Sequence, residues 1–492
     1  MRISVTPVAF SAHPAFGPDH VFSRLEAGCA GGLPVFAPGD RLPAADCYVV
    51  GGQQPMLLGG PIFTLLKAAT VVALAEDLTE RWSSPVKPLF WIASEDHDVL
   101  EVNRLKVGGK KLVCPYSGSL RRGEVPPVGA ISLCEHKERI LRFLQENLPE
   151  GRWREWVLER IEALDFSNYA TQFEGLLRLL CGPLGLLTIR PEAIRERQAP
   201  ILARVLRRWR AVVSAFERGS ERLRAVGFEP PLARVTLFEL VKGRRRAVEV
   251  ENGTVLFAGR RLQLADAASA LEEEPHRFSP GAALRPIIQD GVLNVAATVA
   301  GPTELLYLWQ IRDMYEVLEV KPSLPAPRIS ATLLESAAVK KLRQLSIPLQ
   351  EAFCVPERLR VWESREREAE GPELREIASR AQELVEAVKR VETPANRKYV
   401  ARALRTIGST VEKLIDKLRR DEREARDLAG GRLRALCEVL LPGGKAQERS
   451  ASAIEFLTRW GPDLVRVLCE DLDPWARYHQ LAVIQSDEEA LQ

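Results

Sequence analysis

No two cysteines in this 492-residue sequence stand at C-x-x-C spacing. The eight that occur (Cys29, Cys47, Cys114, Cys134, Cys181, Cys354, Cys437 and Cys469) are dispersed, which argues against a zinc site or a disulfide framework. Reduced thiols filling core space are expected. No apolar run approaches the roughly 20 residues that span a bilayer. The start, MRISVTPVAFSAHPAF, lacks an apolar stretch followed by a small-residue cleavage site. A cytoplasmic protein with no membrane partner is therefore expected. Charge of one sign is also missing: the net charge is only +3, with acidic and basic residues intermixed, so nothing pulls the whole chain toward nucleic acid. The basic stretches KGRRR (Lys242 to Arg246) and GRR (Gly259 to Arg261) lack interleaved aromatics and read as turns of a solvated hairpin.

With 46% hydrophobic and 27% charged residues the chain has the composition of a globular protein. Its length calls for two or three domains. CYVVGGQQPMLLGGPIFTLLKAATVVALAEDL, from Cys47, reads as a strand, a loop holding Gly51, Gly52, Gly59 and Gly60, and a helix opened by Pro61. Ile62, Leu65, Leu66, Ala69 and Ala73 share one face of that helix, and VKPLFWIAS supplies the next strand. LNVAATVAGPTELLYLWQIRDMYEVL, from Leu293, repeats the strand, glycine, proline and helix succession. These are two βα halves of one α/β, doubly wound, Rossmann-like parallel sheet.

The division this predicts is residues 1–113 as the first half of the core and 114–279 as an inserted helical and β-hairpin region containing LGLLTI. Residues 280–350 form the second half, 351–435 a helical coiled coil, and 436–492 a helical segment packing back on the core. Leu374, Ile377, Ala381, Leu384, Val388 and Val391 alternate spacings of three and four, as do Val400, Leu404, Ile407, Val411, Leu414 and Leu418 after a break at Thr393 and Pro394. Two such seams make an α-helical coiled-coil hairpin, paired within the chain or with another subunit.

Ligands of open α/β sheets sit beyond the carboxyl ends of the strands. Two loops there carry chemistry. In the first, Gly52 and Gly60 let backbone N–H groups approach an anion, Gln53 and Gln54 suit a polar ligand edge, and Thr64 and Lys67 follow on the helix. The second loop sets Glu95, Asp96, His97 and Asp98 in a row. Asp98 and Glu101 have capping-box spacing, yet four ionisable groups cannot all cap one helix. Carboxylates beside His97 would raise its pKa and ready it for acid–base work. One short loop rarely completes a metal shell, so no resident metal is expected. Around the late strand, Arg285, Gln289, Asp290, Gly301, Arg328 and Ser330 are candidates for substrate or nucleotide binding, with Arg328 and Ser330 suited to a phosphate or carboxylate. Trp91 is expected to pack as core at its strand end.

Together GGQQPMLLGGPIFTLLKA, PLFWIASEDHDVLEVN, LRPIIQD, AGPTELLYLWQ, PRIS and LLPGGKAQER resemble, in order, the bacillithiol-biosynthesis cysteine-adding enzyme family. The resemblance implies a Rossmann-like core with connecting-peptide insertions and a coiled coil supporting a homodimer. It implies a ligase that joins the carboxyl group of cysteine to the amine of glucosaminyl-malate in the last step of bacillithiol biosynthesis. By the same resemblance His97 or Asp96 would accept the amine's proton, with Glu95 and Asp98 alongside. The backbone from Gly52 to Gln54 and at Gly60, with Lys67 or Arg328, would stabilise an oxyanion, and Arg285 would meet a malate carboxylate. Such a core also resembles ligases that activate a carboxylate with ATP and magnesium. This chain lacks the paired histidines of a His-x-Gly-His motif and a lysine in PRISATLL, which leaves ATP use open at the level of sequence. A nucleotidyltransferase acting on a sugar phosphate, or a scaffold working through its coiled coil, are the alternatives.

Overall fold

The computed structural model describes residues 1–15, 21, 47–120, 125–257, 259–365 and 372–485. Cys29 and the side chain of Leu374 lie outside the described residues. The chain forms two compact units, residues 1–335 with 445–492, and residues 336–444.

The first unit is built on five parallel strands in the order Leu324–Pro327, Val295–Ala300, Cys47–Gln53, Val86–Ile92 and Leu187–Ile189. The two expected halves do share one sheet. From the Cys47 strand the chain winds outward through Val86 to Leu187, then returns to the other side of Cys47 for Val295 and Leu324. The connections thus diverge between the Cys47 and Val295 strands, and that divergence opens a crevice at their carboxyl ends. Leu187–Ile189, which the sequence places in the inserted region, is the edge strand of this sheet. LGLLTI reads as a strand from its apolar run, but such a short run does not show which sheet it joins.

Both faces of a parallel sheet must be covered, and Val49 and Val50, pointing opposite ways, are both fully buried. The Phe63–Trp82 helix covers one face. Apolar residues surround most of it because the Asp463–Asp471 helix packs on its far side. Gly51 sets the closeness of that packing: a Cβ there would lie 2.6 Å from Val71 Cγ2. On the other face Val50, Leu89, Trp91 and Ile194 form a small cluster against Val292 and Leu293, at the end of the Arg285–Val292 helix.

The expected hairpins are antiparallel strands Leu237–Val241 and Arg244–Ala247, joined by Phe278–Pro280, and strands Val250–Glu251, Thr254–Phe257 and Arg260–Gln263. Lys242–Gly243 and Asn252–Gly253 turn two of them with both residues at positive φ, the backbone that matches strand twist. The tail is not wholly helical. After Ala453–Trp460 and Asp463–Asp471 it ends in His479–Gln485, which pairs antiparallel with Arg2–Val8 and parallel with Ala331–Glu335.

In the second unit the Ser336–Gln344, Val355–Arg365 and Pro372–Arg390 helices pack on Arg397–Leu440, a helix about 66 Å long at 1.5 Å per residue. Residues 336–350 belong here rather than to the core, and the long helix continues past 435. Asn396 holds the hairpin turn, accepting from Thr393 N at 2.6 Å and donating to Val391 O at 2.9 Å. Val400 is buried as the heptads predict, whereas Ile377, Leu384, Val391 and Leu414 stand exposed and Ile415 takes the buried place of Leu414. Among the described residues no helix is long and apolar enough to cross a membrane.

Candidate active site

The Cys47 and Val86 strands run in register, with Gln53 opposite Ile92, so the loops that follow start side by side. Gln54 Nε2 donates to Asp96 Oδ2 at 2.5 Å, which joins the glutamine loop to the acidic loop directly. Above them lies a cavity of about 660 Å³ at the carboxyl ends of the sheet. The Cys47 strand and the helix after it contribute Gly52, Gln53, Gln54 and Lys67; the acidic loop contributes Glu95, Asp96 and His97. Arg285, Gly301 and Arg328 come from the second half of the core. Phe238, Arg245 and Pro280 of the inserted hairpins form the facing wall.

Six other sequence candidates stand outside the lining. Asp98 caps the short Val99–Val102 helix, accepting from Glu101 N at 3.2 Å. Gly60 shapes a turn at φ +64° and its carbonyl accepts from Ala453 N. Thr64 is buried behind the loop. Gln289 and Asp290 support Arg285 from behind: Arg285 Nη1 donates to Gln289 Oε1 at 3.0 Å, and Asp290 Oδ2 accepts from Tyr315 at 2.8 Å and from Ser323 N at 2.9 Å. Ser330 is buried and donates to Glu448 Oε2 at 2.8 Å.

The geometry reassigns two of the lining residues. Lys67 is 1% exposed, and its ammonium donates to Gly52 O at 2.8 Å, Gln53 Oε1 at 3.1 Å and Glu304 Oε2 at 2.5 Å. An ammonium has three N–H groups, so none is left for an oxyanion. Lys67 instead organises the loop. Burial lowers its pKa, and Glu304 opposes the fall. Burial would raise the pKa of Glu304, but Lys67, the Gly301 N–H at 2.6 Å and Arg285 outweigh it and hold the carboxylate ionised. Glu95 is the second reassignment. Its carboxylate accepts from Arg195 and from Ser279 Oγ at 2.6 Å, linking the acidic loop to the wall strand Phe278–Pro280. Burial pushes its pKa up against Arg195 and Ser279. It is a latch rather than a free base.

Asp96 is the carboxylate of this loop that both lines the cavity and stays accessible, about one third exposed, accepting from Gln54 and from His97 N at 2.7 Å. The His97 ring stands 5.7 Å from Phe238, with Nδ1 3.6 Å from Asp96 Oδ1. Glu101 also lines the cavity, its pKa raised by burial and by Asp98 and Asp96. Arg285 donates to Gln289 and, at 2.9 Å, to Tyr307 Oη, both neutral partners. Burial works against its charge, and Tyr307 and Glu304 more than offset it. Trp91 is fully buried, as expected, and its Nε1–H has no acceptor among the described residues.

Several lining residues escaped the sequence reading. Arg244 and Arg246 are solvated as expected, but Arg245 points inward, 4.0 Å over Phe238, and donates to Ser279 Oγ at 3.1 Å and to Pro280 O. Strand alternation between the two exposed arginines was the available signal. Glu304, in AGPTELLYLWQ after Gly301, was in view from the sequence, but its ion pair with Lys67 was not. Arg449 reaches the cavity from the tail without any local sign.

Two family models span most of the chain: the N-terminal Rossmann-like domain of the bacillithiol biosynthesis protein BshC at residues 40–329, and its C-terminal coiled-coil domain at residues 331–484. The chain belongs to the BshC family. A relative from Heliobacterium modesticaldum is 30% identical over 473 residues, covering 90% of this chain and 84% of the relative. One from Thermus thermophilus is 32% identical over 450 residues, covering 85% of each, and one from Salinibacter ruber is 28% identical over 455 residues, covering 88% and 82%. Each bears the name "Putative cysteine ligase BshC". Among solved structures, a chain from Campylobacter jejuni titled as a putative arginyl-tRNA synthetase covers 87% of this chain and 93% of its own at 10% identity, with a TM-score of 0.25.

Proposed function

We propose that this crevice joins the carboxyl group of cysteine to the amine of glucosaminyl-malate as an amide, the last step of bacillithiol biosynthesis. The names of the relatives supply the reaction class. The observation that carries the substrate assignment is Arg285, a half-buried guanidinium bonded, among the described residues, to neutral groups only, inside a cavity that also holds Asp96. A substrate with both carboxylates and an amine matches that pairing of charges. The malate carboxylate neutralises Arg285.

The amine attacks only in its neutral form, so a proton acceptor must stand near it. Asp96 fills this role, oriented by Gln54, with His97 beside it to pass the proton outward. The oxyanion that develops at the cysteine carbonyl falls to Arg328 rather than Lys67, whose N–H groups are all engaged. ATP with magnesium is the co-reactant of this reading: it turns a carboxyl oxygen into a leaving group. The donor set fits its phosphates, since Arg328 and Arg449 both line the cavity. Among the described residues no group of three or more His, Cys, Asp or Glu is placed to hold a metal ion, so magnesium would come bound to the phosphates. The same reading takes the protein as a cytoplasmic homodimer, for which the exposed Ile377, Leu384, Val391 and Leu414 are the support.

The test is to incubate the protein with cysteine and glucosaminyl-malate, with and without ATP and magnesium, and weigh the products. An amide mass in the complete mixture is expected. Its absence from both mixtures would refute the proposal.

A further inference from the structure

The tail motif LLPGGKAQER has no role in the chemistry above beyond Arg449. Its buried Glu448 meets one residue of the crevice. Gln447 fixes the segment to the Ala331–Glu335 strand as a backbone would, accepting from Leu333 N at 2.8 Å and donating to Leu333 O at 3.0 Å. Beside it the Glu448 carboxylate, fully buried, accepts from Arg328 Nη2 at 2.5 Å through Oε1. Its Oε2 accepts from Ser330 Oγ at 2.8 Å and from Ala331 N at 3.1 Å. Ser330 in turn meets His479 Nδ1 at 2.9 Å, so the carboxylate sits in a fully built socket.

Arg328 is 3% exposed and lines the cavity, with its guanidinium 5.5 Å from the Phe63 ring centre. Besides Glu448 it donates from Nη1 to Ile329 O at 2.8 Å. A guanidinium carries five N–H groups. Nε–H and one hydrogen on each terminal nitrogen therefore have no acceptor among the described residues. Nε lies on the side of Gly301, 3.8 Å from where a Cβ on that glycine would stand. Room for a ligand beside Arg328 thus depends on a residue without a side chain.

We propose that Glu448 is a positioning residue: it fixes Arg328 so that the unengaged N–H groups contact an anionic oxygen of a substrate, either a carboxylate or a phosphate. The inference rests on the crevice being the reaction site. It assigns the tail segment a part in the chemistry, since a residue 120 positions away in sequence sets the angle of a cation in the core crevice. The charge of Glu448 matches the role: burial would raise its pKa, but Arg328, together with His479 and Ser330, outweighs it and brings the value down to about 2.

The experiment compares Glu448→Ala, Glu448→Gln, Arg328→Met and the double variant Arg328→Met/Glu448→Met for KM, kcat and thermal midpoint. Glu448→Ala should raise KM for ATP or for glucosaminyl-malate at least tenfold. Glu448→Gln, which keeps an acceptor for Nη2, should stay within about threefold of the unmodified protein, and the double variant should match Arg328→Met. A rise confined to ATP identifies a phosphate oxygen, and one confined to glucosaminyl-malate a carboxylate. Folded Glu448→Ala with both KM values unchanged would overturn the inference, as would a double variant clearly worse than Arg328→Met. If Glu448→Ala does not fold, Glu448→Asp, which draws the carboxylate back by one methylene, must show the rise; unchanged KM values there overturn the inference equally. If the unmodified protein forms no amide, the functional reading fails separately. Calorimetric titration with malate and with pyrophosphate then decides this inference: tenfold weaker binding of either to the variant supports it, and equal binding or none overturns it.

Discussion

Replacing Glu95 and Asp96 in turn separates two carboxylates that adjoin in sequence and differ in role. Glu95 is paired with Arg195, their side chains 6% and 13% exposed, and accepts from Ser279 as well. Glu95→Ala leaves that guanidinium buried without its counter-ion, a loss of about 3–5 kcal/mol. It also cuts the tie between the acidic loop and the facing wall, so the folded fraction should lose activity only as far as the wall moves. Asp96 is one third exposed, and water replaces its two hydrogen bonds when it is removed. Asp96→Ala should cost only about 1 kcal/mol of stability yet lower the amide-forming rate by roughly 10²–10⁴, the usual contribution of a positioned base. Urea unfolding midpoints give the first quantity, and amide product weighed per folded enzyme gives the second. A stable but inactive Glu95→Ala protein, together with a fully active Asp96→Ala protein, would refute the assignment of latch and base.

Asp290 and Glu448 should leave opposite marks on the pH dependence of stability. Burial is the chief cause that raises Asp290 to about 6; between about pH 4 and 6 the folded protein holds a proton the unfolded chain releases, so stability falls as pH rises through this window, by on the order of 3 kcal/mol. Asp290→Asn should flatten that slope in urea titrations. Glu448, held at about 2, behaves in reverse: its contribution is complete above its unfolded value near 4.5 and is lost as the pH falls through about 2. Glu448→Gln should remove this acid limb, and an unchanged acid limb would refute the pairing. Gly51→Ala should destabilise by about 1–3 kcal/mol, since the helix must move off the sheet. In Gly52→Ala the Cβ would lie 3.3 Å from Trp91 and 3.7 Å from Arg285 Nη1, so it should narrow the crevice and raise KM with a smaller loss of stability.

The convergence of the glutamine and acidic loops was legible because it follows from topology: strands joined by one helix are parallel neighbours, and both loops leave their carboxyl ends. Asp98 as a helix cap was visible in its spacing to Glu101. Periodicity could not show how the charges are engaged. Lys67 reads as a cation available to an oxyanion, and only the positions of Gly52 O, Gln53 and Glu304 reveal that all its donors are engaged. Glu95 reads like Asp96 until the strand Phe278–Pro280, far along the chain, brings Ser279 to it. Arg245, in a run of three arginines, is distinguished from its neighbours only by pleat. The pairing of Arg328 with Glu448 crosses too much sequence for any local pattern to reveal.

The most direct measurement is the mass-resolved rate of amide formation from cysteine and glucosaminyl-malate in the presence of ATP and magnesium, for unmodified protein and for Arg285→Met. Among the described residues Arg285 is bonded to Gln289 and Tyr307 alone, so the variant leaves no unpaired buried carboxylate there and should fold. The account predicts an amide product with the unmodified protein and a rate at subsaturating glucosaminyl-malate at least about tenfold lower with the variant, the scale of one lost charge-assisted hydrogen bond. Equal rates from the two proteins would contradict the claim that this crevice is where the reaction takes place.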